Sequence, residues 1–229
     1  MKKKKFLSLC FALLLAASSV AANAAGRGLV VPSASCVSNL NPLLENYREG
    51  AIMLNPLYDP LYVKDVGETR FYLAKSYEVS ADGTVFTLTL KDGLKWHDGE
   101  PITADDVIFT MAVNADTNNG AGNTNVVIVN DRPVAFEKVD RLTVRITLPV
   151  ASASYSDVLG SLTLIPAHVF GGDTNIVNVP ANLRGVGSGP YKLKEFVQDQ
   201  YLLLVKNEDY YLGAPSVDTV TFRIISDPA

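Results

Sequence analysis

The sequence predicts a mixed α/β fold, rich in strands and poor in helices, on three observations. Residues 84–90 alternate with period two, Phe86, Leu88 and Leu90 on one face and Val85, Thr87 and Thr89 on the other. Thr103-Ala104-Asp105-Asp106 places an acid three positions after a hydroxyl residue, which is a capping-box start for a helix. The end of the chain carries three strand-like runs, 191–197, 201–206 and 218–225, the last alternating through Val220, Phe222 and Ile224.

The elements follow in order. Residues 28–31 form a short β-like run that enters a polar stretch, 33–41. Pro42 biases Asn41 to an extended conformation. Ile52, Met53, Leu57 and Leu61 have helical spacing, but Pro56 and Pro60 restrict 50–61 to a short or broken helix. Asp82-Gly83, Asp92-Gly93 and Asp98-Gly99 are turn dipeptides. Residues 75–80 are the expected hairpin partner of 84–90. Behind the capping box, Ala104, Val107, Ile108, Met111, Ala112 and Ala115 recur at i, i+3, i+4, predicting a helix with one apolar face. Residues 116–125, rich in Asn and Gly, read as a loop. Residues 141–148 alternate again, with Leu142, Val144, Ile146 and Leu148 inward, and 154–159 fit a short helix.

The amino terminus belongs to export rather than to the fold. Lys2 to Lys5, an apolar run over 6–20 and Ala22-Asn23-Ala24 form the three parts of a secretory signal peptide, so residues 1–24 are expected to be removed. A spanning helix needs about 20 apolar residues, and this run turns small and polar at Ser18-Ser19. Of 20 basic and 24 acidic residues, only the four lysines fall in the removed segment, so the mature chain is acidic and no basic patch for nucleic acid remains. Cys36 is then the lone cysteine and has no internal disulfide partner. No His, Cys or acid spacing suits zinc, no calcium loop is present, and no cofactor is expected.

Three constellations bear on catalysis. Asp105 and Asp106 are neighbours in a first helical turn, diverge by about 100 degrees, and suit a cap better than a glycosidase pair. His97 and Asp98 lie in Trp96-His97-Asp98-Gly99, where the turn accounts for Asp-Gly without a nucleophile. Gly185-Val186-Gly187-Ser188-Gly189 lacks a Walker lysine and runs through Pro190 into a strand, so it reads as a tight loop. Aromatic residues gather at Tyr47, Tyr58, Tyr62, Phe71, Tyr72 and Tyr77, and again at Tyr201, Tyr210 and Tyr211.

Several of these segments together resemble one family. Residues 77–83 (Tyr-Glu-Val-Ser-Ala-Asp-Gly), Phe86-Thr87-Leu88 and 94–107 (from Leu94-Lys95-Trp96-His97-Asp98-Gly99 to Asp105-Asp106-Val107) are similar to the signature of family 5 extracellular solute-binding proteins, the dipeptide-, oligopeptide- and nickel-binding proteins of ABC importers. Leu40-Asn41-Pro42, Ile165-Pro166-Ala167-His168, Gly187-Ser188-Gly189-Pro190-Tyr191 and Asn207-Glu208-Asp209-Tyr210-Tyr211 resemble further family segments in the same order, with Tyr211 in place of the usual tryptophan.

The resemblance implies a type II periplasmic-binding-protein clamshell whose first lobe (25–59 and 166–229) carries an inserted α/β domain (60–165), with the second lobe missing. It further implies a periplasmic receptor that does no chemistry, takes a peptide or another small solute and delivers it to an ABC permease. The segment after Leu-Asn-Pro, Asn46-Tyr47-Arg48, is the expected ligand contact. An exported hydrolase, resting on the carboxylates and His97, and an exported structural domain, resting on strand content, stay open as alternatives.

Overall fold

Two four-stranded sheets organise the chain. The structure is a computed structural model and describes residues 27–45 and 47–225. The expected signal segment and Asn46 lie outside the described residues. In chain order the elements are β1 (Gly28–Ser33), α1 (Arg48–Leu54), β2 (Tyr62–Asp65), β3 (Glu68–Phe71), β4 (Ala74–Val79), β5 (Val85–Leu90), α2 (Ala104–Ala115), β6 (Ile128–Val129), β7 (Arg132–Pro133), β8 (Ala135–Lys138), β9 (Thr143–Thr147), α3 (Tyr155–Gly160), β10 (Tyr191–Val197), β11 (Tyr201–Lys206) and β12 (Thr219–Ile224).

The first sheet has the order β1-β12-β11-β10. β10 and β11 form a hairpin, and β12 pairs antiparallel with β11. β1 then joins β12 in parallel, Gly28 opposite Thr219 through Ser33 opposite Ile224, so the two ends of the described chain meet in one sheet. Met53 and Leu54 of α1, with Leu57 just beyond it, cover this sheet and pack with Leu40, Leu202, Leu204 and Phe222. The helix ends at Leu54, two residues before Pro56, as the proline demands.

The second sheet, β4-β5-β9-β8, is antiparallel throughout. The predicted alternation holds: Phe86, Leu88, Leu90, Val144, Ile146 and Leu148 are buried in one core with Trp96, Val107 and Met111. Each such fully buried aliphatic side chain contributes roughly 1.5–3 kcal/mol. Tyr62, Tyr77, Phe86 and Tyr155 run through this core as a chain of ring contacts, so these four belong to packing rather than to a ligand site. The β2–β3 ribbon and β8 were not legible in the sequence. β2 buries only Tyr62, and in β8 only Phe136 is half-buried, so neither shows a strong alternating face.

α2 differs from its expected single apolar face. Ala115 is exposed, while Phe109 and Val113 on the far side are buried in a third core with Leu43, Ile165 and Ile176. The helix is covered twice, by the second sheet and by the chain returning through 165–176, and its own periodicity reports only the first cover. The predicted loop 116–125 contains two short 3-10 turns, Thr117–Asn119 and Thr124–Val126. The capping box is closed: Asp105 N–H donates to Thr103 Oγ1 (3.2 Å) and Thr103 N–H donates to Asp106 Oδ2 (2.9 Å). Thr103→Ala is expected to lower unfolding free energy by about 1 kcal/mol, read from denaturant midpoints, with little effect on ligand affinity. A large affinity loss at unchanged stability would reassign this turn to the site.

Candidate ligand-binding groove

The groove begins at the Asn41-Pro42 turn. Asn41 Oδ1 accepts from Leu43 N–H (3.0 Å), and its Nδ2 donates to Asn182 Oδ1 (2.9 Å), which pins the turn to the chain 141 residues on. Leu43 enters the third core. Glu45 turns inward and is 4% exposed. Its Oε1 accepts from Ser38 N–H (2.9 Å), Ser38 Oγ (2.6 Å) and Asn39 N–H (2.9 Å), closing the loop after β1. Tyr47 then donates its hydroxyl proton to Cys36 O (2.8 Å). Burial, and then the neighbouring Glu45 carboxylate, hold the Tyr47 phenol above its ordinary pKa. Cys36 is half-buried against the first core, as a small apolar residue.

Tyr47 and Arg48 face a groove of about 330 Å³ whose other walls are Pro42, Glu45, Ala51 and the Gly122-Asn123 turn. A smaller hollow of about 100 Å³ adjoins it, shares Pro42, Glu45 and Ala51, and is closed by Tyr58 and Thr163. Two of the three expected contact residues thus line one groove. Sequence reading missed Glu45, whose position between Leu43-Leu44 and the helix start was its one available signal. Two larger hollows exist elsewhere. In one, of about 530 Å³, the amides of Asn39, Asn119 and Asn182 are committed to bonds within the fold. In the other, of about 420 Å³, His97, Ser188 and Asn207 are likewise committed.

The remaining motifs converge on a joint between the two sheets. His97 N–H donates to Gly187 O (2.8 Å), and Gly187 N–H donates to His97 Nδ1 (3.1 Å). That leaves His97 Nε2 as the donor to Gly189 O at 3.0 Å. Burial drives the His97 pKa down to about 4, so the ring is a neutral clamp with both nitrogens engaged. His168 Nε2 reaches Asp98 Oδ2 at 2.8 Å, which gives that turn carboxylate a second partner. Asp105 is exposed and pairs with Lys138, whereas Asp106 is buried and accepts from Ala167 N–H (3.0 Å). The two acids face different surroundings and do not converge on a common bond. Asp59, also missed in the sequence, accepts from Tyr210 (2.9 Å) and Tyr211 (2.8 Å), while burial pushes its carboxyl pKa up against those hydroxyls. Among the described residues, no group of three His, Cys, Asp or Glu is placed to hold a metal ion, and no helix is long and apolar enough to cross a membrane.

Comparison with known proteins agrees with this arrangement. Residues 69–229 match the model of the bacterial extracellular solute-binding proteins, family 5 middle. The oligopeptide-binding protein AppA of Bacillus subtilis is 32% identical over 97% of this chain, and the chain spans 42% of that relative's length. The crystal structure of the ABC transporter substrate-binding protein CtaP of Listeria monocytogenes superposes with a TM-score of 0.82 at 37% identity, covering 88% of this chain and 41% of that one. The structure of Bacillus subtilis AppA in complex with a nonapeptide gives a TM-score of 0.74 at 30% identity, covering 88% and 41%. The fold is therefore that of part of a solute-binding protein, and the chain belongs to the family 5 bacterial extracellular solute-binding proteins.

Proposed function

We propose that this chain is the first-lobe portion of a periplasmic receptor that captures peptides or a similar small solute and delivers it to an ABC permease. The observation that carries this reading is the groove in which Tyr47 and Arg48, at the start of α1, face Gly122-Asn123 across a polar hollow. An exposed cation and a tyrosine on a rigid helix start suit the carboxylates and backbone groups of an extended ligand. Relatives that carry peptide-binding names, and a neighbour solved with a nonapeptide, support the ligand class. A receptor is favoured over a hydrolase because His97 has both nitrogens committed to backbone partners.

The division into 25–59 with 166–229 as lobe one and 60–165 as an inserted domain belongs to the same proposal. It is supported by the two sheet cores: that under the first sheet draws on residues 37–58 and 202–222, and that under the second on 61–164, while the third core joins the two parts through Leu43 and Ile176 against Phe109 and Val113. Residues 1–24 act in this reading as the cleaved export signal.

Calorimetric titration of purified residues 25–229 with a mixed dipeptide and tripeptide pool tests the function. Binding is expected to be weak, at millimolar concentrations, because a clamshell encloses its ligand between two surfaces and this chain spans 42% of a relative's length. Turnover of glycosidic or ester substrates, lost on His97→Ala, would favour the hydrolase. Micromolar binding by a monomer would mean that this half carries a complete site.

A further inference from the structure

We propose that the free oxygen of Glu45, Oε2, receives a protonated amine carried by the ligand, so that the groove prefers ligands with a lysine-like side chain. This rests on the groove being the ligand site, and it adds the chemistry that the groove selects. Glu45 is 4% exposed and lines both adjoining hollows. Its two oxygens are unequal. Oε1 accepts three hydrogen bonds from Ser38 and Asn39, whereas Oε2 has no partner among the described residues.

Among the described residues, Tyr47 is within hydrogen-bonding reach of the Glu45 carboxylate, and burial and this contact raise its phenol pKa, but its single proton is donated to Cys36 O at 2.8 Å, so Oε2 is left without a full donor. Gly50 packs tightly against the carboxylate, where a Cβ would sit 3.3 Å from both Oε2 and Tyr47 Cζ, so the room for an amine lies on the side of the hollow closed by Tyr58 and Thr163. Among the described residues Glu45 has no ion-pair partner. A buried carboxylate oxygen without a donor is compensated best by a charged one, which brings both the hydrogen bond and the opposite charge. Arg48 lines the groove and Glu49 beside it is exposed, so the two opposite charges stand next to each other in sequence.

The test titrates the full chain with Ala-Lys-Ala, with its neutral isostere Ala-norleucine-Ala, and with 1,5-diaminopentane. The lysine peptide is expected to bind at least fivefold more tightly than the norleucine peptide. Glu45→Gln, which keeps an acceptor for Ser38 and Asn39, should bring the two within twofold of each other and abolish diaminopentane binding. As a measurement independent of any variant's folding, the carbon resonance of the Glu45 carboxyl should shift on adding Ala-Lys-Ala and not on adding Ala-norleucine-Ala. Equal affinities for the two peptides, a preference that survives Glu45→Gln, an unmoved carboxyl resonance, or no binding of any probe would each overturn the proposal. Diaminopentane binding that depends on Glu45 in the absence of peptide binding would keep the amine site and remove the peptide reading. Equal binding of both peptides would do the reverse.

Discussion

Gly187→Ala is expected to destabilise the fold by about 3 kcal/mol or more, enough to unfold a marginally stable chain. The reason is a backbone-to-backbone approach. A Cβ at Gly187 would lie 1.9 Å from Leu57 O and 3.0 Å from His97 Cε1. Leu57 O already accepts from Gly189 N–H at 2.8 Å, so the loop cannot withdraw without losing that bond. Withdrawal would also break the pair of hydrogen bonds between Gly187 and His97. Gly93→Ala is the control. Gly93 has φ +76°, and a Cβ there meets nothing within 4 Å, so only the left-handed backbone strain of about 1–2 kcal/mol is expected. Urea midpoints followed by circular dichroism separate the two. Similar small losses in both variants would mean that the 56–58 and 187–189 segments are not held in contact.

Acidification should weaken the fold through His97. Its folded pKa of about 4 lies below the ordinary 6.5 because burial penalises the charged ring. The unfolded chain therefore takes up this proton first as pH falls. Stability from this group is full above pH 6.5 and is lost as pH falls through about 4. The whole displacement is worth about 3 kcal/mol at most. Asp59 and Asp106 act in the opposite sense. Burial raises both carboxyls, so their contribution is present below the unfolded carboxylate pKa and fades as pH rises through the folded values. The His97 part is isolated as the difference between the native chain and His97→Asn, measured by urea unfolding at several values between pH 7 and pH 4.5. The native chain should lose stability more steeply over that window. Parallel profiles would show that the ring is not held neutral by the joint. In the folded chain, its imidazole resonances should show no protonation at pH 5.5.

The local part of this protein was legible before its structure. The alternation of Phe86, Leu88 and Leu90 placed β5, and that of Val144, Ile146 and Leu148 placed β9. Thr103 and Asp106 placed the start of α2, and Pro56 limited α1. Gly83, Gly93 and Gly99 all adopt the positive φ that their Asp-Gly turns required. These features were readable because period, capping and turn geometry are encoded within a few consecutive residues. What only the tertiary structure decided depends on docking between distant segments. The second cover over Phe109 and Val113 comes from the chain near Ile165 and Ile176. The neutrality of His97 comes from backbone groups of Gly187 and Gly189, some 90 residues away. Asp59 becomes a buried acceptor only when Tyr210 and Tyr211 arrive, and Glu45 is left half-satisfied only because Ser38 and Asn39 take one oxygen while Tyr47 gives its proton to Cys36. No local pattern records such pairings, because each residue's own neighbours in the chain fit an exposed side chain equally well. Burial and the partner are both set by which surfaces come together.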